Sequence, residues 1–346
     1  LIVSGLLVRG VTRIVRVPLG FEYRQTLMAD PGLSSYGMTP GAAQGYWRSV
    51  EARMREVPGV RNVALTSLPP FGNRVTINRE LTIFYHVTPA FFDTMRIPLT
   101  RGRVFRDGEA DVAIVNETLA RRRWPGEEPI GKTYEGRTVI GVSGDARTVR
   151  INEGGATECY MPIQPEQLAG AVMVVRVDGA PARAAGTIRA VARGGDERLM
   201  PSVVLLEDAL EEKLEAPRQL ALIASALGCC ALLLAVTGLA GMVAFTVSQR
   251  LREIGVRVAL GARPAHIVRA IARQFTRPIV VGAIAGSALA ALAGTVLSRE
   301  MFGVSQLDPL AHGGALLLFA LVAVVAALPS VRRAVRVDPV QMLRHE

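Results

Sequence analysis

The chain of 346 residues is half hydrophobic, with 20% charged and 5% aromatic residues. That balance excludes a disordered tail, a collagen-like repeat and a disulfide scaffold, and the length calls for two or more domains. Of the net charge of +10, +8 falls in residues 250–277 (seven Arg, one Glu) and 332–346 (four Arg, Asp338, Glu346), both beside apolar runs, which points to a membrane surface rather than nucleic acid.

The chain opens on LIVSGLLV, Leu1 to Val8, which is too short to span a bilayer and lacks the basic start of a signal peptide. Residues 1–17 read as the outer end of a truncated transmembrane helix, with Arg9, Arg13 and Arg16 on the outer side. From Gly41 to Val57 the spacing predicts a helix. Tyr46, Val50 and Met54 recur at i, i+4 and i+8, Trp47 stands beside them, and Pro58–Gly59 stops the run. Strands are expected at Val60 to Ser67 and Leu81 to Val87. Val112 to Val115 reads as strand, Asn116 to Arg123 as helix capped at Trp124–Pro125–Gly126, and Thr138 to Val142 as strand. Ala171 to Val177 is the clearest strand. A helix over Pro181 to Arg193, a strand at Ser202 to Leu206 and a helix over Leu206 to Leu214 follow. Strand–helix–strand units at both ends of 18–217 predict an α+β domain whose middle part is inserted between two halves of a first subdomain.

Catalytic patterns are weak along this stretch. Gly126 to Thr133 satisfies the phosphate-loop spacing GxxxxGK[ST], but a polar helix precedes it and a strand follows, the reverse of what phosphate binding needs. Glu127 and Glu128 repel phosphate and Pro129 removes a donor, so the segment reads as a surface turn. Asp93, Asp107, Glu109 and Asp111 lie close in sequence and read as solvated loop acids. Cys159 stands alone and Cys229–Cys230 sit in an apolar run. No CxxC spacing exists, and His86, His266, His312 and His345 are far apart, so no metal site, disulfide, catalytic residue or bound cofactor is expected.

Three uncharged runs follow: Gln219 to Gln249, Pro278 to Ser298 and Gly313 to Val331, of 31, 21 and 19 residues. Each is long enough to cross a bilayer of about 30 Å, and the first, at roughly 46 Å of helix, is longer than needed. Seven Arg in 250–277 and four in the tail, against Arg299 alone in 299–312, put 250–277 and the C-terminus in the cytoplasm. Residues 18–217 are then extracytoplasmic. Gly282, Gly286 and Ala290 recur every four positions and permit close helix packing, within the chain or with another permease unit.

The loop reads RLREIGVRVALGARPAHIVRAIARQFTR. Gly261 breaks the helix, Pro264 restarts it, and a short amphipathic helix carries Ile267, Ala270 and Ile271 on one face. By its physics it is either a force-transmitting contact for a partner or a basic anchor on anionic lipid.

The segment SQRLREIGVRVALGARPAHIVR and the tail Arg333 to Pro339 with Leu343 resemble the signature of FtsX/MacB-type permeases of ABC systems. Val87 to Phe105, Val112 to Lys132, Val139 to Arg147 and Tyr160-Met161-Pro162 resemble the MacB-like periplasmic core. The likeness covers nearly the whole chain and is nearest to the second unit of the duplicated permease subfamily. It implies a porter-like domain of two βαβ halves over 18–217, with a Sabre-like subdomain inserted at about 87–165. An all-α, three-helix FtsX-like domain over 218–346 follows, in the bacterial inner membrane. It implies that Arg252, Glu253, Gly255, Arg257, Leu260, Gly261 and Ala262 contact a separate cytoplasmic ABC ATPase, which alone binds ATP and Mg. The spans would then move the outer domain by mechanotransmission, for efflux or export of a drug, peptide or lipoprotein, with a dimer or pseudo-dimer of permease units. A signalling permease that regulates envelope enzymes, and a membrane-anchored binding module without an ATPase, are the alternatives. The stretch Gly194 to Pro201 departs from the family pattern, and nothing in the sequence selects a substrate.

Overall fold

A computed structural model describes residues 5, 18–72, 77–78, 81–149, 156–249, 277, 280–292, 313–315, 317–322 and 325. Contacts divide the chain into a unit Arg16–Glu215 and a second made of the rest.

The first unit is built on one ten-stranded sheet. Its strands are β1 (Thr26–Asp30), β2 (Val60–Thr66), β3 (Ile83–Val87), β4 (Leu99–Gly102), β5 (Val112–Asn116), β6 (Thr133–Tyr134), β7 (Arg137–Ser143), β8 (Glu158–Pro162), β9 (Val172–Val177) and β10 (Ser202–Leu205). Helix α1 (Pro40–Arg55) joins β1 to β2. Helix α2 (Phe91–Met95) follows β3, α3 (Glu117–Arg123) follows β5, and α4 (Pro181–Ala192) joins β9 to β10.

One end of the sheet runs β10-β1-β9-β2, with every neighbouring pair antiparallel. The connections β1-α1-β2 and β9-α4-β10 interlock, which is the split βαβ pattern of ferredoxin-like folds. The other end runs β3-β8-β5-β7-β4 and lies in sequence between β2 and β9. The two ends meet where β2 pairs antiparallel with β3 at Thr66 and Val87, flanked by main-chain bonds from Ser67 to His86 and from Thr88 to Leu65.

Helix α1 forms as its sequence predicts, one residue earlier than expected. Thr39 caps it by accepting from the Ala42 N–H at 3.4 Å, and Pro40 opens the first turn. It buries Ala43, Trp47, Val50 and Met54 on one face; Tyr46, expected on that stripe, is only partly buried. These side chains pack on Leu27, Ala29, Val63, Leu65, Met173 and Val175. The Trp47 indole N–H donates to the Leu168 carbonyl at 2.8 Å, which satisfies its only donor in the core. Helix α2 packs on β2 and β9, and Val172 and Val174, outside the α1 cluster, are fully buried too. This end of the sheet is therefore covered on both faces. A second cluster joins Phe84, Ala113, Val115, Leu119, Val139, Cys159 and Met161 in the inserted end.

The expected elements at 60–67, 81–87, 112–115, 116–123, 138–142, 171–177, 181–193 and 202–206 are present within a few residues. Strands β1, β4, β6 and β8 and helix α2 had no counterpart in that reading. One boundary is corrected. A helix at 206–214 and a separate span from 219 are one helix, α5 (Leu206–Gln249), of 44 residues with Pro217 inside it. The loss of charge after Arg218 marks where apolar solvent can begin, not where a helix must.

Within α5, Leu206–Thr246 is long and apolar enough to cross a membrane, and its apolar stretch is little buried. Two shorter apolar helices, Val280–Leu292 and Gly313–Val322, fall within the second and third expected spans. Among the described residues one helix is thus long enough to cross a membrane, and the expected all-α three-helix arrangement is not established by it and the two shorter pieces. Residues 1–4, 6–17 and 250–276 lie outside the described residues.

Candidate functional site

The residues expected to contact an ATPase, Arg252, Glu253, Gly255, Arg257, Leu260, Gly261 and Ala262, all lie outside the described residues. The element that leads to them is α5. Along it Leu222, Leu227 and Leu234 are 71%, 66% and 73% exposed, and Ile223, Leu233, Met242 and Phe245 are exposed too. So large a run of exposed aliphatic side chains is unstable in water and stable in lipid. The hydroxyls of Thr237 and Thr246 donate back to carbonyls of their own helix, as required where no water is at hand. Cys229 and Cys230 are exposed on the same helix.

The phosphate-loop match is a turn. It follows the end of α3 and leads into β6. The Lys132 ammonium lies 2.6 Å from the Glu127 carboxylate. The amides of Glu127, Gly131 and Lys132 donate to the carbonyls of Trp124, Val139 and Pro129, so they are not open to a phosphate. Of the four acids expected in loops, Asp93 lies in α2 instead, and Glu109 accepts both guanidinium forks of Arg103, at 2.7 and 2.9 Å, and the Arg106 N–H at 2.8 Å. Those bonds hold its carboxyl down to about 2. Asp93, Asp107 and Asp111 are exposed. No paired acid and base arises from them. Burial pushes the Cys159 thiol up to about 12, which leaves it an inert core residue.

The outer domain contains a polar centre that the motifs did not reveal. Glu158, the first residue of β8, is 1% exposed. Its carboxyl accepts from the Tyr160 hydroxyl at 2.8 Å and the Tyr85 hydroxyl at 3.3 Å, and the Ala146 N–H also reaches it. Tyr85 shares a 2.7 Å hydrogen bond with Thr148 and stacks on Tyr160 at 4.8 Å. Burial outweighs these donors and pushes the Glu158 carboxyl up to about 8. Tyr160 is likewise pushed well above its ordinary value, first by burial and then by Glu158.

Asn116 joins this centre to α3. Its carbonyl oxygen accepts the N–H of Leu119, capping the helix, and the N–H of Glu158, each at 3.0 Å. Its amide donates to Asp145 and to the Ala156 carbonyl, each at 2.8 Å. Asp145 in turn accepts from the Thr118 N–H and hydroxyl at 2.9 and 2.7 Å.

The chain enters the domain across this same loop. Arg147 N–H donates to Leu19 at 2.9 Å, and Phe71 N–H donates to Thr148 at 2.6 Å. Phe21 packs on Phe71 with ring centres 5.7 Å apart. Gly20 has φ of +79°, and a Cβ there would lie 2.1 Å from the Asp145 carbonyl oxygen. Residues 19–21 are thus fixed to the loop that carries Asp145 and Thr148. A lone acid at the head of an apolar strand, ECYMP, was the signal for this centre. Its partners come from four separate segments that no spacing rule connects.

Two family models cover most of the chain: the MacB-like periplasmic core domain over residues 1–214 and the FtsX-like permease C-terminal over residues 225–339. The pyoverdine export ATP-binding/permease protein PvdT of Pseudomonas fluorescens is 35% identical over 127 residues, 37% of this chain and 19% of that protein. The macrolide export ATP-binding/permease protein MacB of Neisseria gonorrhoeae is 23% identical over 326 residues, 84% of this chain and 49% of that protein. The chain therefore spans about half the length of a curated relative that it matches along most of its own. The crystal structure of the periplasmic region of MacB from Actinobacillus actinomycetemcomitans aligns over 59% of this chain and 98% of that one, at 16% identity and a TM-score of 0.37. With its two domains matched in order, the chain belongs to the FtsX/MacB-type permeases, which join a MacB-like periplasmic core domain to an FtsX-like permease domain.

Proposed function

We infer that the chain is the transmembrane permease subunit of an ABC-type export system in the bacterial cytoplasmic membrane. The observation that supports this most is α5, which continues directly from β10 of the α/β unit and exposes large apolar side chains over a membrane-spanning length. The names of the matched relatives, export ATP-binding/permease proteins, support export as the direction. In this reading 18–217 lies outside the cytoplasm with a Sabre-like insert. Runs 278–298 and 313–331 complete the spans, and 250–277 and the C-terminus face the cytoplasm.

A separate cytoplasmic ATPase holds ATP and Mg and grips Arg252, Glu253, Arg257 and Leu260. Arg and Glu there make charge-assisted hydrogen bonds across the interface, and Leu260 fills a pocket. Force then reaches the outer domain at two places. The entering chain is bonded to the loop 145–148 through Leu19 and lies close against it at Gly20, and α5 continues from β10. One entry acts on the inserted end of the sheet and the other on the ferredoxin-like end, which meet along β2 and β3 and where α2 packs on β2 and β9. That layout supports mechanotransmission. A second permease unit packs on the Gly282, Gly286 and Ala290 face.

The test is co-purification of the full chain from its native membrane in mild detergent, with mass spectrometry of bound proteins. A nucleotide-binding ATPase that is retained by the parent and lost on Glu253→Arg supports the reading. Co-purification of envelope proteins without any ATPase refutes it.

A further inference from the structure

An open depression of about 520 Å³ lies where α2 and β4 meet β2 and β9. That volume suits a small organic ligand. Phe92, Ile97 and Leu99 form an apolar wall, and Asn62, Arg96 and Arg176 contribute donors. The strands β2 and β9 belong to the ferredoxin-like end of the sheet, whereas α2 and β4 belong to the inserted end. An occupant touches both.

The two arginines are the informative residues. Arg103, Arg121 and Arg101 in the same region each pair with a carboxylate. Among the described residues the Arg96 guanidinium has no hydrogen-bond or ion-pair partner. The Arg176 guanidinium donates to the Asp93 carbonyl at 2.7 Å and forms no ion pair among the described residues. A guanidinium carries five donors, so most of that fork is uncommitted. Arg96 is also the C-cap of α2. It closes α2 in the left-handed region, at φ 51° and ψ 39°, where glycine or asparagine is the unstrained residue. Asp93 also lines the depression, leaving two positive residues against one negative.

We propose that this depression binds a small organic anion, a carboxylate or phosphate ester, with its charge held by Arg96 and Arg176 and its apolar part against Phe92, Ile97 and Leu99. Arg forks match the planar or tetrahedral oxygens of such groups and are weakly hydrated, so they bind them well beside an apolar wall. The anion comes either from solution or from a lipid headgroup. Occupancy adds to the contacts by which α2 of the inserted end already packs on β2 and β9. The proposal does not depend on the ATPase reading.

The full chain in phosphatidylcholine nanodiscs is titrated with phenyl phosphate, benzoate, benzylammonium and inorganic phosphate. Trp47 and Trp124, the two tryptophans, both lie in the unit Arg16–Glu215, so their fluorescence reports its unfolding alone. Phenyl phosphate and benzoate bind and raise the unfolding midpoint, inorganic phosphate binds more weakly, and benzylammonium does neither. Arg96→Gly weakens the two anions about tenfold or more. The same change raises the midpoint of the unliganded protein, because glycine relieves the left-handed backbone. Asp93→Asn tightens both anions. Discs of phosphatidylglycerol that lower phenyl phosphate binding in the parent but not in Arg96→Gly identify a lipid source, and equal binding in both discs identifies a soluble one. The proposal is overturned if neither anion binds, if benzylammonium binds as well as they do, or if Arg96→Gly leaves their affinities unchanged.

Discussion

Replacing Glu158 by glutamine should flatten the pH dependence of the outer domain. The folded carboxyl titrates at about 8, against 4.5 for the ordinary group, because burial disfavours its charged form. Between those values the folded state holds a proton that the unfolded state has released. Stability is therefore fully present below pH 4.5 and falls as pH rises through 8. At about 1.4 kcal/mol per pH unit the loss is at most about 5 kcal/mol. Protonated Glu158 donates one hydrogen bond and accepts others, and a glutamine amide does much the same in nearly the same volume. Glu158→Gln thus keeps the low-pH stability and removes most of the decline. Urea unfolding of the full chain in detergent, followed by Trp47 and Trp124 fluorescence between pH 5 and 8.5, reads both curves. A parent protein whose midpoint is level across that range refutes a buried, protonated Glu158. So does a Gln variant with the parent's slope.

Other perturbations probe other joints. Asn116→Ala removes a helix cap, the acceptor for the Glu158 N–H and two donated bonds, and should cost about 2–4 kcal/mol by urea unfolding. Gly20→Ala places a Cβ 2.1 Å from the Asp145 oxygen at a φ of +79°, so it should cost more than about 2 kcal/mol by the same assay. Leu234→Arg, in the middle of the exposed apolar run, should disfavour membrane insertion of α5 by about 3 kcal/mol in a glycosylation-based insertion assay. Lys132→Ala should leave both the unfolding midpoint and ATP binding to the assembled system unchanged, because that lysine pairs with Glu127 on an exposed turn.

Much of the fold was legible because the responsible signals are local. Thr39–Pro40 and the apolar spacing of α1, the run Ala171 to Val177, and the Asn116 cap each announce an element within a few residues. Strand β1, five residues long and with Ala and Asp at its end, becomes a central strand only by pairing with β9 and β10, 144 residues or more away in sequence. Propensity cannot see such partners. Helix α2 and strand β4 were hidden for a related reason: they are four or five residues long and held by packing on β2, β9 and β7. The span boundary at Gln219 failed because charge limits the bilayer, whereas the helix runs on to Leu206. The Glu158 centre draws Tyr85, Asn116, Asp145 and Thr148 from separate loops and strands, so no motif encodes it. The family resemblance rested on contiguous motifs, and both domain models match along the chain.

The central claim, that this permease is driven by a separate ATPase through residues 250–277, is tested most directly by ATP hydrolysis in a reconstituted membrane. The co-purified ATPase is assayed alone, with the full chain, and with Glu253→Arg or Leu260→Ala chains whose folding is verified by tryptophan fluorescence. The account predicts that the parent chain changes the hydrolysis rate several-fold and that both variants abolish the change. A rate unaffected by the parent chain, or altered equally by parent and variants, contradicts it.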